Sequence, residues 1–275
     1  TFIVAETAKI LGRNEDSERY SNLAEEIRVA FNRHLYNAET HHYATGSQTA
    51  NAIPLVWDIV DPVNRDAVIQ NLITEVKERD YLTSGDVGFH FLLRALAENG
   101  RSDLVYRLTH RQDEPGYGYQ IKQGATSLTE AWDGRKVVSL NHCMLGHLQE
   151  WFYRELVGIQ RDPSALAFKK IDIHPNPVGS ISWVKGSYDS PYGKIACSWK
   201  RENQTFVLET TIPANITARI FVPTRDAERI TESGLPVAKS EMITFLKMHE
   251  GYAVYSVGSG TYRFVSPYDD PTVDQ

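Results

Sequence analysis

Asp162-Pro163-Ser-Ala-Leu-Ala-Phe-Lys-Lys-Ile-Asp-Ile-His174 is the stretch at which this chain changes character. Before it, apolar residues return every three or four positions. After it they alternate. These are the spacings of a helix face and of a strand face, so helices come first and strands second. Such an order predicts two domains, divided here as residues 1–160 and 161–275.

Toward the amino terminus, helical spacing covers residues 1–12, 16–35, 48–60, 61–76, 86–99 and 101–111, and again 139–157. In the second of these, Leu23, Ile27, Ala30, Phe31 and Leu35 share one face, while Glu18, Arg19, Glu25 and Arg28 cover the other. Most connections are short, which makes consecutive helices antiparallel neighbours. Asp86 follows Ser84-Gly85 at a helix start and is expected to act as its N-cap. Trp57, Trp151 and Phe152 are expected on packed helix faces. Toward the carboxyl terminus, alternation marks strands at 170–174, 181–184, 195–199, 206–212, 218–222, 243–248, 252–257 and 262–265. Turn residues punctuate them at regular intervals, the pattern of a sandwich. A polar tail follows Pro267.

Composition narrows the function. A net charge of -6 leaves no basic face for phosphates, which argues against a nucleic-acid partner. No run approaches the roughly 20 apolar residues of a membrane-spanning helix. The first residues carry neither a basic segment nor a long apolar one, and no leader peptide is expected. Helical periodicity begins at once without an initiator Met, which reads as the middle of a longer protein. The sequence leaves the compartment open. Two cysteines, Cys143 and Cys197, lie in different halves and predict no disulfide. Neither a phosphate-binding glycine loop, a serine elbow nor a Cys-x-x-Cys pair is found, so no cofactor is expected.

The long connection from residue 112 to 138 is the exception among the loops, and loops of that length often carry function. Tyr117 to Ile121 alternates within it and reads as a short strand. Further along come Gly124-Ala-Thr-Ser-Leu-Thr-Glu-Ala-Trp-Asp-Gly134 and then Ser139-Leu-Asn-His142. Glu130 is the leading candidate for general acid–base work on a sugar, with Trp132 as an apolar wall and Asp133 beside it. Spacing alone also fits a solvated loop carboxylate. His142, in the first turn of the helix expected from Ser139, could hold a sugar hydroxyl or a helix end. Cys143 and His147 stand four apart, but a third metal ligand is missing and no metal is expected.

The ordered run of motifs resembles the bacterial α-L-rhamnosidases. It comprises Gly124-Ala-Thr-Ser-Leu-Thr-Glu-Ala-Trp-Asp133, Ser139-Leu-Asn-His142 and Glu150-Trp-Phe-Tyr-Arg154, then Ile173-His-Pro-Asn-Pro177, Gly186-Ser-Tyr-Asp-Ser-Pro-Tyr-Gly193 and Cys197-Ser-Trp-Lys200. The segments at Gln48-Thr-Ala50, Leu82-Thr-Ser-Gly85 and Phe91-Leu-Leu-Arg-Ala-Leu96 fit as well. The resemblance implies a partial (α/α)6 barrel followed by an antiparallel β-sandwich, and hydrolysis of terminal α-L-rhamnose with inversion. It implies Glu130 as general base and His142 as a rhamnose contact; Trp132 and Asp133 are expected beside them in the sugar subsite. The partner would be a rhamnose-containing glycoside or polysaccharide. Thr129 stands where the family often has Trp. No segment matches the one that carries the family's general acid, and about seven of the twelve barrel helices are present. An upstream part of the same protein is therefore expected to complete the barrel. Two other readings stay open: a non-catalytic glycan-binding piece, and another helical-barrel glycosidase or lyase.

Overall fold

The computed structural model describes residues 1–134 and 139–268; part of the long connection and the polar tail lie outside them. The chain forms two compact units, Thr1–Gly146 and His147–Gln275.

In the first unit seven α-helices are described: α1 (Phe2–Ile10), α2 (Asn14–Leu35), α3 (Gln48–Val56), α4 (Arg65–Arg79), α5 (Asp86–Ala97), α6 (Ser102–His110) and α7 (Tyr117–Lys122). A two-strand ladder, β1 (Tyr36–Asn37) with β2 (His42–Tyr43), turns the chain from α2 toward α3. The core is built by α3 to α6, with Leu55, Val68, Leu72, Phe89, Leu92 and Leu104 each 3% exposed or less. Gly88 lets α5 lie close on α3, because a Cβ there would overlap the Thr49 hydroxyl. Helices α1 and α2 behave differently. No residue of α2 is buried, and Phe2, Ile3, Ile10, Leu11, Ile27 and Val29 are all exposed.

Two expectations fail between Tyr117 and Val157. The alternating Tyr117 to Ile121 is a helix, not a strand. The helix expected over 139–157 is broken into a 3-10 turn at Cys143–Leu145, a short α8 (Leu148–Trp151) and a π-helical turn at Phe152–Val157. Residues 139–142 stay out of it because their backbone pairs with the loop before them. His142 donates its amide to the Leu128 carbonyl at 2.8 Å, and the Ser127 hydroxyl bonds the Leu140 carbonyl.

In the second unit the π-helical turn stops at Gly158, whose φ of +83° is strained for any other residue. A Cβ there would also collide with the Pro175 backbone. Among the described residues eleven strands follow: β3 (Ile159–Arg161), β4 (Lys170–Ile173), β5 (Trp183–Ser190), β6 (Gly193–Glu202), β7 (Thr205–Ile212), β8 (Thr217–Pro223), β9 (Thr231–Glu232), β10 (Leu235–Pro236), β11 (Ile243–His249), β12 (Tyr252–Val257) and β13 (Gly260–Pro267). One sheet has the order β10-β9-β13-β7-β6-β5 and the other β11-β12-β8-β4-β3.

Alternation decides which side chains meet between them. Ile195, Cys197 and Trp199 of β6 point to the same core as Ile220 and Val222 of β8 and Tyr255 of β12, with Phe206 and Phe264 between. Each such side chain contributes about 1.5–3 kcal/mol by leaving water. The Trp199 indole, stacked on Phe206, also donates to the Leu156 carbonyl at 2.6 Å. Pairing is antiparallel except between β4 and β8, which run parallel with Ile171 opposite Ala218 and Ile173 opposite Ile220. The chain leaves this sheet after β4, builds three strands of the other, and returns, so no hairpin fixes the direction.

Candidate active site

The site is assembled on the start of α5. Gln48, wholly buried at the first turn of α3, accepts from the amides of Thr83 (3.0 Å) and Ser84 (3.3 Å). Its amide nitrogen donates to the Tyr81 carbonyl at 3.0 Å. The Thr49 hydroxyl reaches that of Ser84 at 3.1 Å. Residues 81–84 are thus held by side chains from α3, and α5 begins from a fixed point.

The loop bearing the candidate base hangs on the same point. The Trp132 indole donates to the Ser84 carbonyl at 2.6 Å, and its ring stands edge-on to Phe89 (4.8 Å) and Tyr117 (5.0 Å). Such edge-to-face contacts add about 0.5–1.5 kcal/mol each beyond burial. The indole expected to wall the sugar is 8% exposed in this chain, with most of its surface against the helices. Two buried polar groups complete the clamp, since the Thr129 hydroxyl and the Gln120 amide both donate to the Ala131 carbonyl, at 2.8 and 3.1 Å.

Glu130 sits between these anchors and remains exposed. Its amide donates to the Ser139 carbonyl at 2.9 Å, and its Oε2 accepts from the Ser139 amide at 3.0 Å. One carboxylate oxygen is therefore aimed by the backbone, and Oε1 is the oxygen that this bond leaves over. The same pairing carries His142, whose amide bonds Leu128, so Glu130 and His142 lie on facing stretches of one short ladder. Asp133 is exposed, one residue before the end of the described loop. A pocket of about 150 Å³ lies beside the loop, lined by Gln120, Gln123, Thr126, Ser127, Thr129 and Leu140 among others; Glu130 and His142 are not part of its wall.

One feature of the site was misread in the sequence. Asp86 is not the N-cap of α5; Gly85 holds that position, and Asp86 is the first helical residue. Its Oδ1 accepts from the next amide at 2.8 Å, and its Oδ2 stands 3.7 Å from His142 Nε2. Only the helix boundary separates the two readings, and the partner is 56 residues away in sequence, beyond any local signal. Gln48 left a faint mark, as part of a motif without a role. Among the described residues no group of three or more His, Cys, Asp or Glu side chains could hold a metal ion. Cys143 is exposed and Cys197 buried, and neither forms a disulfide.

Comparison with known proteins agrees along the chain. Residues 1–156 match the family model described as the bacterial alpha-L-rhamnosidase 6 hairpin glycosidase domain, and residues 158–235 match the bacterial alpha-L-rhamnosidase C-terminal domain. An alpha-L-rhamnosidase of Formosa agariphila is 29% identical over 276 aligned residues, covering 97% of this chain and 30% of that protein. The Streptomyces avermitilis alpha-L-rhamnosidase, solved in complex with L-rhamnose, is 28% identical with a TM-score of 0.85, over 95% of this chain and 25% of that one. The enzyme from Dictyoglumus thermophilum gives a TM-score of 0.86 at 28% identity, over 96% of this chain and 30% of that one. The chain thus spans between a quarter and a third of the length of these relatives. With the helical match alone taking in 156 of its 275 residues, the chain belongs to the bacterial α-L-rhamnosidase family.

Proposed function

We propose that this chain supplies the general-base half of a site that hydrolyses terminal α-L-rhamnosyl residues with inversion. Glu130 takes a proton from water as the water oxygen bonds to the anomeric carbon. The glycosidic bond breaks, and a second carboxylic acid gives its proton to the departing oxygen. In an inverting site the two carboxyl groups stand roughly 6.5–9.5 Å apart, with the water between base and sugar. His142 and Asp133 contact the rhamnose. Trp132 contributes from behind, by holding the loop that carries the base.

The observation that supports this reading is the anchoring of Glu130. It lies within the matched glycosidase domain, on a loop tied to α5 through Trp132, with one oxygen fixed by the Ser139 amide. A solvated loop carboxylate would need none of these ties. The acid is proposed to come from outside these 275 residues, on a segment that also covers the exposed apolar faces of α1 and α2. The residues of the domain expected over 1–160 are then the later part of the barrel.

An aryl α-L-rhamnoside tests this in two forms. A longer polypeptide carrying this chain should release β-L-rhamnose, read by NMR of the first-formed anomer. The 275-residue chain alone should not turn over the same substrate. Turnover by the short chain would sink the two-part site, and release of the α-anomer would sink inversion. Cleavage of other glycosides but not of rhamnosides would remove the substrate assignment.

A further inference from the structure

We infer that Asp86 is a positioning residue that fixes the protonation pattern of His142, and so makes the other ring nitrogen a hydrogen-bond acceptor for a sugar hydroxyl. The inference rests on the sugar-contact role of His142 proposed above. Three observations carry it. His142 Nε2 is shielded from solvent and has no hydrogen-bond partner within ordinary range, while the side chain as a whole is 24% exposed. Asp86 Oδ2 stands 3.7 Å from it. The backbone that carries the ring is held, since the His142 amide is fixed to Leu128, and Asp86 stands at the first turn of α5.

A neutral imidazole carries its single proton on one nitrogen, and the hydrogen bond made by one nitrogen decides the role of the other. If the proton sat on Nδ1, the Nε2 lone pair would face a carboxylate oxygen with no water between them. Two acceptors opposed at a nitrogen shielded from water repel each other, and the nitrogen is left unpaired. With the proton on Nε2 the same contact is attractive. Nδ1 is then left without a proton, able to accept from a hydroxyl but unable to donate to one. At 3.7 Å the pair is longer than a hydrogen bond, and a small closing movement of the ring brings it within range. The site would thereby select ligands that present a hydroxyl donor at this position.

The test is long-range proton–nitrogen NMR of the histidine rings in the 275-residue chain at alkaline pH, with His142 assigned by its loss in His142→Gln. The wild-type ring should show the pattern of a neutral imidazole protonated at Nε2. Asp86→Asn, which keeps the shape but can donate as well as accept, should give a mixture of the two forms. Asp86→Glu should restore the wild-type pattern. A wild-type ring protonated at Nδ1 would overturn the inference whether or not any variant folds. So would an Asp86→Asn spectrum identical to wild type. A merely structural aspartate would leave the ring pattern unchanged. The readout involves no substrate, so its failure leaves the rhamnosidase reading standing, and loss of that reading leaves the measured pattern intact.

Discussion

Replacing Trp132 by Phe tests whether the loop of the candidate base is held from behind. The change keeps an aromatic ring against Phe89 and Tyr117 and removes the donor that reaches the Ser84 carbonyl at 2.6 Å. Ser84 is 1% exposed, so water does not replace that donor. A buried acceptor left unpaired costs about 1–3 kcal/mol. A central value of about 2 kcal/mol corresponds to a roughly thirtyfold larger open population of the loop. Amide hydrogen exchange reads this locally. The amides of Glu130 and His142 bond the facing stretch at 2.9 and 2.8 Å, and both should exchange some thirtyfold faster in Trp132→Phe. The amide of Leu208, in the sandwich, should keep its wild-type rate. Exchange at Glu130 and His142 within twofold of wild type would refute the anchoring, and with it the reason given for the aim of the carboxylate.

Two further outcomes follow from the packing and from burial. Gly88→Ala places a methyl group into the Thr49 hydroxyl and should cost about 1–3 kcal/mol, read as a lower urea midpoint for the helical unit. An unchanged midpoint would show that α3 and α5 can part freely. His174 lies stacked on Phe221 at 4.2 Å and edge-on to Tyr252 at 4.6 Å. Burial, with His249 alongside, pushes it down from the usual 6.5 to about 4, against the opposing pull of Glu250. The unfolded chain therefore binds a proton that the folded chain refuses. Stability should be full above pH 6.5 and fall as the pH drops toward about 4, by an amount on the order of 3 kcal/mol. His174→Phe should flatten that part of the curve, and an unaltered slope would exclude His174 as its source.

The strands were readable because alternation is a local property. Each of the eight runs expected from the sequence overlaps an observed strand, and Ile195, Cys197 and Trp199 turn inward as their spacing requires. The short partners at Ile159–Arg161, Thr231–Glu232 and Leu235–Pro236 escaped because two or three residues hold too little period to register. The stretch around His142 failed for a different reason. Its apolar spacing continues from the helical run behind it, but tertiary bonds to Leu128 and Glu130 outweigh a helical propensity that is weak by comparison. At Tyr117–Lys122 a five-residue alternation competed with packing on Phe89 and Trp132, and packing prevailed. Of the candidate site residues, Glu130 and His142 were singled out by motif, and backbone bonds to Ser139 and Leu128 bring their stretches face to face. Asp86 was expected as the N-cap of α5, a position that Gly85 holds, and His142, 3.7 Å from its carboxylate, lies too far along the chain for a local signal. Trp151 is buried as its spacing required, whereas Trp57 and Phe152 are 48% and 40% exposed.

The role given to Glu130 is decided by one substitution. Glu130→Gln preserves shape and the acceptor for the Ser139 amide, and removes only the ability to take a proton from water. In a longer polypeptide that cleaves an aryl α-L-rhamnoside, the account predicts a fall in kcat of about 10²–10⁴, the usual worth of a positioned acid or base, with the unfolding midpoint unchanged. A fall of less than about tenfold with the fold intact would contradict it and remove Glu130 from the base role.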